Sequence, residues 1–303
     1  MSQPIDFSKR FLPELLTPLR HTPIFNDLSP AQRLRYNQLQ AAYFNEQIIF
    51  FESAMAQHIL RGILKIPLPK HLIVAVNEFI AEEKRHSQMF RELNRRCFTA
   101  RYGKLDFYFV NVPHWATMLL RKWACHPETF PFFLWILFIQ EERALYCAKQ
   151  FLAEADCLEP SFVTAQRQHL ADEVGHVGWD EELLDLIWPT KSERARRINV
   201  SLFQWMMGEY FTTPKRSGLR VIHELVQEFS DLKPLWPELR SQMLALANQG
   251  DFRFISYSRE VTPKSFARFD RCPEFKSLGK VLAGYSPMNV APPSPASAPV
   301  SRG

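Results

Sequence analysis

Residues 168–179 read QHLADEVGHVGW and residues 82–86 read EEKRH. Each holds a glutamate followed three residues later by a histidine: Glu173 with His176, and Glu83 with His86. On a helix, a carboxylate and an imidazole at that spacing are neighbours and can share one divalent cation. His169 adds a second histidine four residues before Glu173. At about 100° per residue, His169 lies about 40° from Glu173 on the helical wheel, and His176 about 60° on the same side. Taken alone, such a triplet is ordinary on a solvated helix. The EEKRH stretch changes its weight. Around Glu83 and His86 the same face carries Leu72, Val76, Phe79, Phe90 and Leu93, so two ionisable groups interrupt an apolar stripe. Buried groups of this kind need a partner or a metal.

Two glutamate–histidine pairs in mid-helix are the pattern of a carboxylate-bridged dinuclear centre in a helical bundle, which also takes one glutamate from each of two further helices. Glu52 shares its face with Ile48, Ile49, Met55, Ala56 and Ile59. Glu142 shares its face with Trp135, Phe138, Ile139, Leu145 and Tyr146. Glu52 to Glu83 spans 31 residues, as does Glu142 to Glu173, and hairpins of equal arm length would bring the four to one level. Glu46 and Glu141 are rivals on partly apolar faces, and the matched spacing favours Glu52 and Glu142 over them. Glu82 and Asp172 precede the two histidine-paired glutamates and read as outer acceptors for ligand imidazole N–H groups, or as plain surface charges. Four carboxylates balance two Fe(II) ions, and carboxylate with neutral imidazole suits Fe or Mn better than Zn or Cu. The histidines at 21, 58, 71, 114, 126 and 223 do not fall on these faces at ligand spacing.

The elements that must position these groups are helical. Ser29-Pro30 is an N-cap with proline at the first helical position, and a helix is expected from there to about Leu64. Lys65–Pro69 turns the chain, and a second helix covers about 70–97. A short helix is expected near 113–125, a third long one over about 130–154, and a fourth over 161–187, stopped by Pro189. Helices at 192–211, 217–230 and 234–248 and short ones within 260–282 follow. Only 10 Gly are present, and no period-2 strand is evident. The expectation is therefore an all-α chain: a four-helix bundle over about 30–188, a helical extension over about 190–285 in the same domain, and a disordered Pro/Ser/Ala tail over 286–303. The 25 Phe and 7 Trp imply a thick aromatic core.

A net charge of +5 is too mild to point to nucleic acid, and no apolar run is long enough to cross a bilayer. The start of the chain lacks the apolar stretch of a signal peptide, and five cysteines (97, 125, 147, 157, 272) form no CxxC pair. Both point to a reduced, cytoplasmic setting.

The HLADEVGH (169–176) and EKRH (83–86) motifs resemble the AurF-like diiron N-oxygenases, which include p-aminobenzoate N-oxygenase. The double ExxH is shared by the wider ferritin-like superfamily, and the extra histidine four residues before the second motif's glutamate marks this branch. The likeness extends over roughly 20–280, including TPKSFARFDRCPEF (262–275). It implies a ferritin-like fold with two iron ions and O2 as co-substrate. Glu52, Glu83 and His86 would serve one iron, and Glu142, His169, Glu173 and His176 the other. The implied activity is oxidation of an amine nitrogen towards hydroxylamine, nitroso or nitro products in secondary metabolism. The substrate would be an arylamine or an amino-acid-derived amine, free or bound to a carrier protein. An external electron donor (a ferredoxin or a flavin reductase) and a homodimer are also expected. The alternatives are another diiron oxidase, such as a C-hydroxylase or desaturase, and a non-catalytic iron-binding protein.

Overall fold

The computed structural model describes residues 4–212, 216–246, 250–282 and 284–286. The expected tail from 287 onward lies outside them. Among the described residues there is no strand beyond two isolated bridges, Arg10 with Leu158 and Ser258 with Gly284. Helix α1 (Pro30–Phe51) starts at the Ser29 cap. The Gln32 amide donates to Ser29 Oγ, and the Ser29 amide donates to Gln32 Oε1, so two otherwise orphaned N–H groups are satisfied. A single turn of π-helix, Glu52–Ala56, follows, and α2 (Gln57–Ile63) completes the arm. Helix α3 (Lys70–Cys97) returns antiparallel to it. The short α4 (Thr99–Tyr102) and the outer α5 (His114–Ala124) lead to α6 (Phe132–Ala153) and α7 (Pro160–Ile187), the second hairpin. Glu159 caps α7 by accepting from the amides of Ser161 and Phe162.

Helix α8 (Glu193–Met206) runs into a second π turn, Met207–Phe211, and is followed by α9 (Arg216–Glu228), α10 (Trp236–Ala245), α11 (Gly250–Ser256) and α12 (Pro263–Arg271). The long helices stand where the hydrophobic periodicity places them. The two π turns interrupt runs that the periodicity presents as continuous α-helix, because an i→i+5 bond leaves no mark in residue type.

The apolar interior falls into two clusters. One contains Ile49, Phe90, Cys147, Phe162 and Ala165. The other contains Met55, Phe79, Ile139, Val177 and Leu183. On each of the four long arms, the step from one cluster to the other crosses an acidic residue: Glu52, Glu83, Glu141 and Glu173. A polar layer therefore cuts the bundle across its middle. Each large apolar side chain in the flanking clusters contributes roughly 1.5–3 kcal/mol. That burial offsets the several kcal/mol that each buried carboxylate costs when nothing neutralises it.

Candidate metal centre

The polar layer resolves into two groups of donor atoms. Glu52, His86, His169 and Glu173 form one, and Glu83, Glu141, Glu173 and His176 form the other; within each, the donor atoms lie within 4.8 Å of one another. All seven side chains are buried. Glu173 joins the groups: its Oε1 lies 2.7 Å from Nε2 of His169 and its Oε2 lies 3.2 Å from Nδ1 of His176. Glu83 Oε1 also lies between them, 3.8 Å from Nδ1 of His86 and 3.6 Å from Nδ1 of His176.

Six of the seven residues predicted from sequence meet here, but they divide differently from the expected partition. His169 stands with Glu52 and His86, and Glu83 stands with His176. The cause is helical rise. Along α7, four residues back from Glu173 is about 6 Å one way and three residues on is about 4.5 Å the other way. The two histidines of one helix thus reach opposite ends of the site.

The seventh expectation, Glu142, is corrected: its neighbour Glu141 occupies the layer. The Glu142 carboxylate turns away and accepts from the backbone amides of Lys264 (2.6 Å) and Ser265 (2.8 Å), capping the start of α12. Equal spacing cannot choose between adjacent glutamates, because it assumes uniform arms and matched turns, and the amides that claim Glu142 come from the distant Lys264 and Ser265. Glu46, the other rival, serves a loop. Its carboxylate accepts from the Tyr102 hydroxyl and from the amides of Tyr108, Phe109 and Val110.

Outside the groups, two carboxylates hold the far nitrogens of the imidazoles. His86 Nε2 is 2.9 Å from Asp172 Oδ2, and His176 Nε2 is 2.9 Å from Glu82 Oε2. Each contact crosses between α3 and α7, so the antiparallel pair is braced twice. Arg85 lies over both acceptors, 3.3 Å from Glu82 and 3.4 Å from Asp172. Ser87, which no sequence pattern marks, donates to Glu52 Oε2 at 2.9 Å. Phe79 stacks on the His176 ring with centroids 3.7 Å apart, and Phe90 meets His169 edge-on. These contacts fix the imidazole planes.

The inner atoms are left without hydrogen bonds. Glu52 Oε1, both oxygens of Glu83, Glu141 Oε1, Glu173 Oε1 and Nδ1 of His86 are buried and unpartnered. Glu173 Oε1 meets the His169 ring nitrogen only as an ion contact. Burial pushes the carboxyls of Glu52, Glu83 and Glu141 up, and like charge among neighbouring glutamates adds to the rise. Burial acts on Glu173 in the same sense, but His169 and His176 outweigh it and hold that carboxyl well below the usual range. For His169 burial works against protonation, yet Glu173 and Glu52 carry it up to about 10. Burial and the nearness of His169 take His86 down to about 4. Orphaned inner oxygens, a nitrogen aimed the same way, outer nitrogens already occupied and excess negative charge fit two bound divalent cations.

A cavity of about 390 Å³ reaches this layer at Glu52, Glu141 and His169. Both π turns contribute to its wall, through Glu52 and Met55 and through Tyr210 and Phe211. Leu119 and Trp123 of α5 add an apolar side. Among the described residues no helix is long and apolar enough to cross a membrane.

Residues 2–228 match the family model described as P-aminobenzoate N-oxygenase AurF. No curated protein matches the chain significantly.

Proposed function

Because the chain belongs to the p-aminobenzoate N-oxygenase AurF family, an oxygenase family, we propose that it binds two iron ions in the buried layer and uses O2 to oxidise the nitrogen of an amine held in the adjoining cavity. The single observation that carries this reading is the pair of donor groups sharing Glu173, with one side open to the cavity. Glu52, His86, His169 and Glu173 would hold one ion, and Glu83, Glu141, Glu173 and His176 the other. Bound iron supplies the electrons and the Lewis acidity that O2 reduction needs. Asp172 and Glu82 keep Nδ1 of His86 and His176 facing inward as the acceptor nitrogen by accepting hydrogen bonds from Nε2–H. Ser87 fixes one oxygen of Glu52 and leaves the other for the site. The aromatic wall excludes water from the amine, which approaches the side bounded by Glu52, Glu141 and His169. Reducing equivalents for further turnovers come from an external donor, for which a ferredoxin or a flavin reductase is suitable.

The test is to load the protein with Fe(II) without oxygen, count the metal, and add isotopically labelled O2 with a panel of amines. Two irons per chain and label on the amine nitrogen are expected. Iron near zero after loading, or label found only on carbon, refutes the proposal.

A further inference from the structure

The polar layer has a second approach, away from the cavity. His176 is fully buried, and Phe79 stacks on its ring with centroids 3.7 Å apart. Trp179, on the same helix α7, meets that imidazole at 5.8 Å and Phe79 at 6.0 Å. The three rings form one contiguous set, and none of them lines the cavity. The benzo edge of the indole lies along the bare backbone of Gly175, 3.6 Å from where a Cβ would stand, and Trp179 is partly exposed. Among the described residues, Trp179 is the one tryptophan or tyrosine whose ring meets a ligand imidazole. The other rings against His86, His169 and His176 are phenylalanines and the histidines themselves. The far nitrogens of His86 and His176 end on carboxylates, which do not readily give up electrons. An indole does, so Trp179 is an oxidisable group set between the layer and the surface.

We propose that Trp179 is an electron relay that discharges the oxidised centre when no amine occupies the cavity. This rests on the iron and O2 part of the functional reading above and adds a task to it. Full reduction of O2 to two waters takes four electrons and four protons. Two Fe(II) ions give two of the electrons, and an amine oxidised at nitrogen gives the other two. With the cavity empty, two electrons are missing, and the nearest sources are the side chains of the site itself. A site of this kind lasts only if that competing oxidation is led elsewhere. Trp179 supplies the electrons one at a time. The indole gives an electron through its ring contact with His176 and releases its N–H proton to solvent. The resulting indolyl radical takes one electron and one proton from a thiol or ascorbate in solution, and the protons for water come from solvent. The two approaches stay apart: the cavity reaches Glu52, Glu141 and His169, whereas Trp179 touches His176.

The test takes the iron-loaded full chain through repeated cycles of reduction and exposure to O2 with no amine present. Dithionite reduces the iron and is removed before O2 is admitted. Peptide mass spectrometry then locates added oxygen. In the parent, oxygenated indole is expected at Trp179 ahead of any other tryptophan or tyrosine, and ascorbate present during the O2 step should suppress it severalfold. In W179F, oxidation should move to Phe79 and His176, iron should be lost after severalfold fewer cycles, and ascorbate should no longer protect. W236F removes a partly exposed tryptophan that meets His223 instead, and should behave as the parent. Trp179 left unmodified after O2 has been consumed overturns the proposal. So does a W179F protein that lasts as long as the parent or that ascorbate protects as well. If W179F does not hold iron, the oxidation map of the parent decides alone. The outcome is separable from that of the N-oxygenation reading, because no amine enters the experiment. A chain that consumes O2 and marks Trp179 but never oxidises an amine keeps the relay and loses the other reading, and one that oxidises amines with Trp179 unmarked does the reverse.

Discussion

Glu141 and Glu142 are adjacent, identical in type and equally buried, yet the structure gives them opposite tasks, and a pair of isosteric substitutions separates them. Glu141→Gln removes a charge from a group whose donor atoms lie within 4.8 Å of one another. At an effective dielectric of about 20, one like-charge pair at that distance costs about 3 kcal/mol, an upper limit because the carboxyls take up protons before they bear it. Burial and mutual repulsion push Glu83 and Glu141 up, in keeping with that escape. Without metal, the Glu141→Gln protein should be as stable as the parent, or more so. With metal the order reverses. At a metal concentration about a hundred times the parent's Kd, binding adds about 2.7 kcal/mol, and a hundredfold loss of affinity cuts this to about 0.4 kcal/mol. Glu142→Gln acts the other way. Its carboxylate accepts two backbone amides at the start of α12, and an amide side chain replaces one acceptor by a donor. That costs roughly 1–3 kcal/mol with or without metal, a fall of roughly 2–10 °C in Tm, while the gain on adding metal is unchanged. Calorimetric melting of both variants, with and without anaerobic Fe(II), reads the four numbers. A metal-dependent gain that is lost in Glu142→Gln and kept in Glu141→Gln refutes the assignment.

Two further outcomes follow from the surroundings of the site. Asp172→Asn and Glu82→Gln each weaken one outer hydrogen bond to an imidazole and should lower iron affinity about 10- to 100-fold by competition with a chelator, with little change in secondary structure; full affinity in both would show that the braces do not orient the ligands. Asp180, one turn beyond His176, is buried with both oxygens unpartnered, and burial raises its carboxyl well above the usual range. The folded state therefore holds this proton where the unfolded chain releases it at about pH 4, so stability is lost as pH rises from there through the folded value. Melting of metal-free Asp180→Asn across pH 4 to 8 should show a flatter decline than the parent, and parallel curves would be the contrary result.

The sequence made most of the frame legible because the four arms are long and their apolar faces repeat at the helical period. Glu83, His86, Glu173 and His176 stood out since each interrupts such a face in mid-helix. What remained hidden depended on distant chain. Glu141 and Glu142 both sit on buried sides of α6, at 3% and 4% exposure, so pattern alone cannot rank them. The deciding contact is made by amides 122 and 123 residues further on. The π turn at Glu52 is a backbone event with no compositional sign.

The two ends of the centre differ in a way that bears on selectivity. His86 and His176 pass their outer nitrogens to Asp172 and Glu82, under the cover of Arg85. His169 has another position: it belongs to the inner group and also forms part of the cavity wall. Its Nε2 stands 3.3 Å from Glu52, the residue where the π turn opens, and Glu52 lines the same wall. Helix widening in a π turn lets an arm depart from the regular α path without breaking its run of backbone bonds. Here that departure begins where the cavity meets the polar layer. The added histidine and the local change of helix geometry thus fall on the same side of the site, the side that faces the cavity. Shape on that side is set by His169, Glu52 and Glu141.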